Sequence, residues 1–162
     1  MNNKTLIIHP EKCTGCGDCE AACSKIKTGI SDPSRSYIRV VRESDDDTFF
    51  LPTTCQQCEN PPCLNACPAS AIFRDEELNR VVIDQEKCVG CTMCVSACPF
   101  GAAKFDPEKG KSNKCDLCGG DPECVKACKE GAIEYAEPEL LQFPQMTQSA
   151  FKLAGIRRTV VN

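Results

Sequence analysis

Apolar residues in this chain come in short runs separated by polar turns. Runs at 72–73 and 81–83 flank a polar turn at 74–79 and predict two short paired strands. Runs at 101–105 and 131–135 repeat the theme. A longer hairpin is predicted from 37–41 and 48–51, around Ser44, Asp45, Asp46 and Asp47. Its acidic tip reads as a solvated turn rather than a docking patch. Pro144, followed by QMTQSAFKLAGI, predicts one short helix that begins at the proline and stops near Gly155. The run at 6–8 is too short for the apolar region of a signal peptide. No segment approaches the ~20 apolar residues of a membrane span.

Cysteines stand between these runs, in four groups of four with none left over. Group one is Cys13, Cys16, Cys19 and Cys23; group two is Cys55, Cys58, Cys63 and Cys67. Group three is Cys88, Cys91, Cys94 and Cys98; group four is Cys115, Cys118, Cys124 and Cys128. Groups one and three follow Cys-x2-Cys-x2-Cys-x3-Cys. Groups two and four widen the middle gap with turn formers at 59–62 and 119–123, which bulge outward without redirecting the flanking sulfurs.

Composition explains why so much cysteine is present. The chain has 162 residues and is 41% hydrophobic, but that share counts 16 cysteines. Without them about 31% of residues are apolar, thin for a chain that must build a core. Small cores of this kind need staples. With no recognisable export signal, the expected compartment is the cytoplasm, where thiols stay reduced and serve as metal ligands rather than disulfides. The formal charge of −4 falls to about −12 if four cubanes each carry about −2. Neither that charge nor a chain without any Lys/Arg run longer than two suits nucleic acid.

The spacing points to iron–sulfur clusters. Two-residue gaps wrap the backbone around one corner of a cube and place three thiolates on three irons. The fourth cysteine, three residues on, points the other way, and in two-cluster ferredoxins it serves the neighbouring cluster. Group three, Cys88 to Pro99, is that signature complete. Zinc sites instead use separated Cys-x2-Cys pairs. Disulfides need an oxidising compartment. A Rieske centre needs two histidines, and His9 is the only one, read as an exposed loop residue rather than a ligand.

Two pairings of the groups fit this logic: one with two and three with four, or a nested arrangement. A short strand–turn–strand joins groups two and three, whereas the long insert at 24–54 separates one from two, which favours nesting. Cluster A is then held by Cys13, Cys16, Cys19 and Cys128, and cluster B by Cys23, Cys115, Cys118 and Cys124. Cluster C falls to Cys55, Cys58, Cys63 and Cys98, and cluster D to Cys67, Cys88, Cys91 and Cys94. The expected fold is α+β: two bacterial-type two-cluster ferredoxin units, one inserted in the other, built of short antiparallel strands and short helices. Residues 1–35 with 106–135 form the outer unit, 36–54 an inserted hairpin, 55–105 the inner unit and 136–162 a C-terminal tail. Leu140, Leu141, Phe143 and Phe151 suit that tail either to docking a partner or to strapping the chain's own surface.

With these residues the chain resembles the four-cluster iron–sulfur subunits of molybdopterin oxidoreductases, such as those of the dimethyl-sulfoxide reductase family. It is also similar to the small polyferredoxin subunits serving tungsten aldehyde oxidoreductases, formate hydrogenlyase and carbon monoxide dehydrogenase. The four-by-four cysteine count, CQQCENPPCLNACP in group two and CVGCTMCVSACPFGA in group three carry the resemblance, which covers 9–135. It implies four [4Fe-4S] clusters in nested pairing, acting as a wire. Ser24 and Lys129 stand where groups two and three have proline, predicting that the outer pair differs in geometry or potential.

Catalysis needs an open coordination site or an acid–base group in a pocket. All sixteen thiols are spoken for, and Gly15 and Gly17 lie in a cluster turn with Glu20 where a dinucleotide fingerprint wants a third glycine. The expected role is therefore non-catalytic. The chain would relay single electrons between a catalytic oxidoreductase subunit, by best reading tungsten- or molybdenum-pterin dependent, and a second carrier or flavin subunit. The alternatives are a polyferredoxin serving a hydrogenase, formate hydrogenlyase or carbon monoxide dehydrogenase, or a freely diffusing ferredoxin. No direct membrane insertion is expected.

Overall fold

A computed structural model of the chain describes residues 3–43 and 46–137. The predicted helix after Pro144, most of the tail and part of the acidic hairpin tip lie outside the described residues. Among the described residues, eight strands form four separate two-stranded antiparallel sheets. β1 (Thr5–Ile8) pairs with β8 (Ile133–Ala136), and β2 (Arg39–Glu43) with β3 (Asp46–Thr53). β4 (Ile72–Asp75) pairs with β5 (Arg80–Ile83), and β6 (Lys104–Asp106) with β7 (Lys111–Asn113). The helices are α1 (Asp18–Thr28), α2 (Pro62–Asn65), α3 (Met93–Ala97) and α4 (Glu123–Ala127).

The predicted hairpins at 37–51 and 72–83 are present, with β4 and β5 in the register Ile72↔Ile83. The β1–β8 pair ties the start of the described chain to its end, Ile8 facing Ile133. The strand expected at 101–105 begins only at Lys104. Gly101, at φ 59°, turns the chain first and buries Ala102 and Ala103.

Ser24 and Lys129 have different consequences. Proline at 68 and 99 ends α2 and α3 near the fourth cysteine, since it cannot continue a helix. With Ser24 in that place, α1 runs through Cys23 for eleven residues. Gly29, left-handed at φ 78°, ends it by donating its amide to Lys25 O at 2.8 Å. The fully buried Ser24 hydroxyl donates to Ala21 O and accepts from Asp32 N, fastening the turn beyond the helix. Lys129, by contrast, changes nothing in the path. α4 still stops before Cys128, and Gly131 at φ 64° takes the role of Gly101.

Two apolar cores result. Cys19, Cys23, Ile38, Cys124 and Ile133 form one, where α1 packs on α4. Cys63, Ile72, Val81 and Cys94 form the other, where α2 packs on α3. Cysteine thus supplies much of the buried surface that the sparse apolar residues lack. Among the described residues no helix is long and apolar enough to cross a membrane.

Two glycines show where the backbone is pressed. A Cβ on Gly90, at φ 71°, would lie 2.2 Å from Gly110 O, whereas one on Gly29 would meet nothing within 4 Å. Gly29→Ala therefore costs only left-handed strain, about 1–2 kcal/mol. Gly90→Ala adds a backbone collision and is expected to cost about 2–5 kcal/mol. Anaerobic denaturant titration of the two variants measures the difference; equal losses would contradict the packing of the 88–91 loop on the β6–β7 turn.

Candidate iron–sulfur sites

Each Cys-x2-Cys loop is bent by a left-handed residue just before its second cysteine: Gly15 (φ 71°), Gln57 (φ 48°), Gly90 (φ 71°) and Leu117 (φ 57°). Glycine takes this shape freely; Gln57 and Leu117 do not, and a strained backbone of this kind persists only when its surroundings over-determine it. Leu117 is 1% exposed in the core. Gln57 is buried with both ends of its amide used: it donates to Cys115 O at 2.9 Å and accepts from Val81 N at 2.7 Å.

Sulfur of the fourth cysteine in every group accepts a backbone amide. Ala71 N reaches Cys67 Sγ at 3.3 Å, Ala102 N reaches Cys98 Sγ at 3.3 Å and Ala132 N reaches Cys128 Sγ at 3.2 Å. In all three the residue before the donor has positive φ, Ser70, Gly101 or Gly131, so one turn recurs three times. Group one continues as helix at that point, and Tyr37 N supplies the bond to Cys23 Sγ instead, at 3.3 Å.

Amides turned inward leave carbonyls turned outward, and a basic side chain meets them at every loop. Arg42 donates to Gly15 O at 3.0 Å. Arg74 donates to Cys58 O and, at 3.0 Å, to Glu59 O. Lys111 donates to Cys88 O at 2.5 Å. Lys114 donates to Cys115 O at 2.9 Å, and Arg80 to Asp116 O at 2.6 Å. Sequence reading missed all five, because they are scattered singly along the hairpins and make no basic run.

The cysteines gather as follows. Cys13, Cys16, Cys19 and Cys128 line one cavity of about 160 Å³. Cys55, Cys58, Cys63 and Cys98 line a second, with Lys114. Cys67, Cys88, Cys91 and Cys94 line a third, with Ser112. Cys115, Cys23, Cys118 and Cys19 all lie close enough to Cys124 for their charge to act on its thiol, so this last set is not marked off by a cavity of its own. His9 is in none of these sets. Its side chain is 19% exposed rather than free in a loop, lying 3.3 Å from Glu134 and 3.5 Å from Glu11. A further cavity of about 210 Å³ is lined by no cysteine; Arg35, bonded to Glu108, and Lys104, bonded to Ser36 O, line it.

Burial dominates the thiol energetics. It pushes Cys19 up to about 12, with the Glu20 carboxylate adding to it, and Cys115 up to about 11 against the Leu117 amide. Cys124 is raised by burial and then by Cys115. Cys63 is raised by burial despite the Lys114 ammonium nearby. Cys98 goes the other way: burial pushes it up, but the amides of Ala102, Phe100, Ala103 and Gly101 together outweigh burial and lower it. Such amides favour a sulfur that carries charge.

These features fit a cubane better than a single ion. Among the described residues no three His, Cys, Asp or Glu side chains converge to hold one metal ion. A tetrahedral zinc site would draw its thiolates to about 2.3 Å from one point. Instead the sulfurs ring cavities. The Ser112 hydroxyl, 1% exposed on the third of these, is buried with no protein partner, as suits a donor facing cluster sulfur. A bound [4Fe-4S] cluster would supply one-electron chemistry there.

Residues 46–138 match the 4Fe-4S dicluster domain family, and residues 6–24 match the 4Fe-4S binding domain family. The chain is 44% identical over 125 residues to the aliphatic sulfonate oxidoreductase polyferredoxin-like subunit of Pyrococcus furiosus, covering 77% of this chain and 71% of that one. It is 40% identical over 132 residues to the beta subunit of the NADH-dependent phenylglyoxylate dehydrogenase of Aromatoleum evansii, covering 81% of this chain but 30% of the relative. It is 33% identical over 148 residues to the thiosulfate reductase electron transfer subunit of Salmonella typhi, covering 83% and 77% respectively.

Arg74 gives a direct test of the carbonyl caps. Arg74→Leu removes charge-assisted bonds to Cys58 O and Glu59 O and is expected to cost about 1.5–3 kcal/mol. Arg74→Lys is expected to recover part of it. Both are read from the anaerobic unfolding midpoint; an unchanged midpoint in Arg74→Leu would show that the cap contributes nothing.

Proposed function

Because the chain belongs to the 4Fe-4S dicluster domain family, we propose that it is the non-catalytic electron-transfer subunit of an oxidoreductase complex, carrying four [4Fe-4S] clusters. Cluster A is held by Cys13, Cys16, Cys19 and Cys128, and B by Cys23, Cys115, Cys118 and Cys124. Cluster C is held by Cys55, Cys58, Cys63 and Cys98, and D by Cys67, Cys88, Cys91 and Cys94. The gathering of three of these quartets around one cavity each is the observation that carries this reading. It supports a nested outer and inner unit over the pairing of group one with two and three with four.

The order of the wire follows from contacts and exposure. A and B share the first core, and C and D the second. B meets C where Cys55 acts on Cys115 and Gln57 bonds to Cys115 O. The two exposed cysteines are Cys16 and Cys91, in A and D. Electrons then enter and leave at A and D, and B and C are the protected interior.

The partner is a catalytic subunit that uses a tungsten or molybdenum pterin, with a second carrier or flavin subunit at the other end, in the cytoplasm. The likeness to the polyferredoxin-like subunit of an aliphatic sulfonate oxidoreductase supports the small polyferredoxin type. Anaerobic affinity purification of the tagged chain from its host, with metals counted, tests this. Tungsten or molybdenum co-purifying with iron is the expected result. Nickel would move the partner to a hydrogenase or carbon monoxide dehydrogenase, and iron with no second metal would overturn a stable pterin-enzyme partner.

A further inference from the structure

Of the five basic side chains that meet cluster-loop carbonyls, Lys114 alone is buried, at 5% exposure. It directly follows β7, whose Ser112 faces the cavity of Cys67, Cys88, Cys91 and Cys94. Lys114 lines the neighbouring cavity with Cys55, Cys58, Cys63 and Cys98. Its ammonium donates to Val81 O in the inner unit and to Cys115 O in the group-four loop. The one side chain thus touches the group-four loop and lines the cavity of Cys55, Cys58, Cys63 and Cys98.

Among the described residues Lys114 is in no ion pair with a carboxylate. The nearest acid in sequence, Asp116, is taken by Lys27 at 2.5 Å. Burying an unpaired ammonium is costly, so such a group persists where an anion compensates it. Clusters of about −2 each, one in the cavity that Lys114 lines and one held by the group-four loop it bonds, would supply that anion.

We propose that Lys114 is a fixed cation shared by clusters B and C, and that it raises the reduction potentials of these two interior sites relative to A and D. This role presupposes the four clusters proposed for the chain. Reduction adds one electron to a cluster and leaves its ligands in place, so a permanent positive charge beside it favours the reduced form. Because Lys114 reaches both sides of the junction, it holds B and C together in potential, and an electron crossing between the two units meets no step there.

EPR-monitored redox titration of the full chain under anaerobic conditions tests this. Lys114→Met and Lys114→Gln remove the charge, Gln keeping a hydrogen-bond donor, and Lys114→Arg keeps the charge. In both neutral variants two midpoints are expected to fall by at least tenfold in the one-electron equilibrium, about 59 mV each, while two stay fixed. The Arg variant should stay within threefold of the unaltered chain. No shift, an equal shift of all midpoints, or an Arg variant that behaves like the neutral ones would overturn the proposal. If Met does not load, Gln carries the test. Failure of Gln and Arg alike to load would reveal a steric role and also overturn it. Iron is counted first: an unaltered chain well short of about sixteen irons would sink the four-cluster reading itself, before any variant is compared.

Discussion

A backbone that curls around sulfur must present its amides inward and its carbonyls outward, and the rest of this structure answers to that constraint. Inward amides reach the sulfurs of Cys23, Cys67, Cys98 and Cys128. Outward carbonyls are met by Arg42, Arg74, Lys111, Lys114 and Arg80. The hairpins are what carry these cations into place. That explains why four small, separate sheets suffice, since none of them has to build a core of its own. It also explains a chain that buries cysteine where other small domains bury leucine.

Polar contacts tie the hairpins of residues 55–83 to the group-four loop. Gln57 donates to Cys115 O, Lys114 to Val81 O and Arg80 to Asp116 O, and Lys27 pairs with Asp116 on the same 114–116 segment. Directional bonds of this kind fix register and spacing more tightly than an apolar patch, which tolerates repacking. Lys27 shows the balance well: burial alone would lower it, but its bond to Asp116 outweighs burial and raises it. Asp116 mirrors this, raised by burial and lowered further by the same lysine. For an electron carrier, a junction whose geometry does not drift is worth more than one that is merely stable.

The cysteine groups, the hairpins at 37–51 and 72–83 and the α+β class were legible in the sequence because each has a local signal, a spacing or an alternation. β1 was not, because its partner Ile133–Ala136 lies at the far end of the described chain and four residues carry no periodicity. Gln57 and Leu117 hid the recurrent left-handed bend, which glycine announces at 15 and 90 and they do not. Ser24 was legible as a departure, and it does lengthen α1; Lys129 looked equivalent and is not, because Gly131 still makes the turn. The carbonyl caps had no sequence signal at all, since each depends on which loop a hairpin lands against.

The account stands on cluster loading, and metal analysis of the anaerobically isolated chain tests it most directly. Iron and acid-labile sulfide, each near sixteen per chain, with a Mössbauer spectrum of cubane clusters, is the predicted result. Zinc in place of iron, or an iron content of about eight, would contradict it: the first would remove the redox function, and the second would leave half of the sixteen cysteines without the clusters that explain their burial.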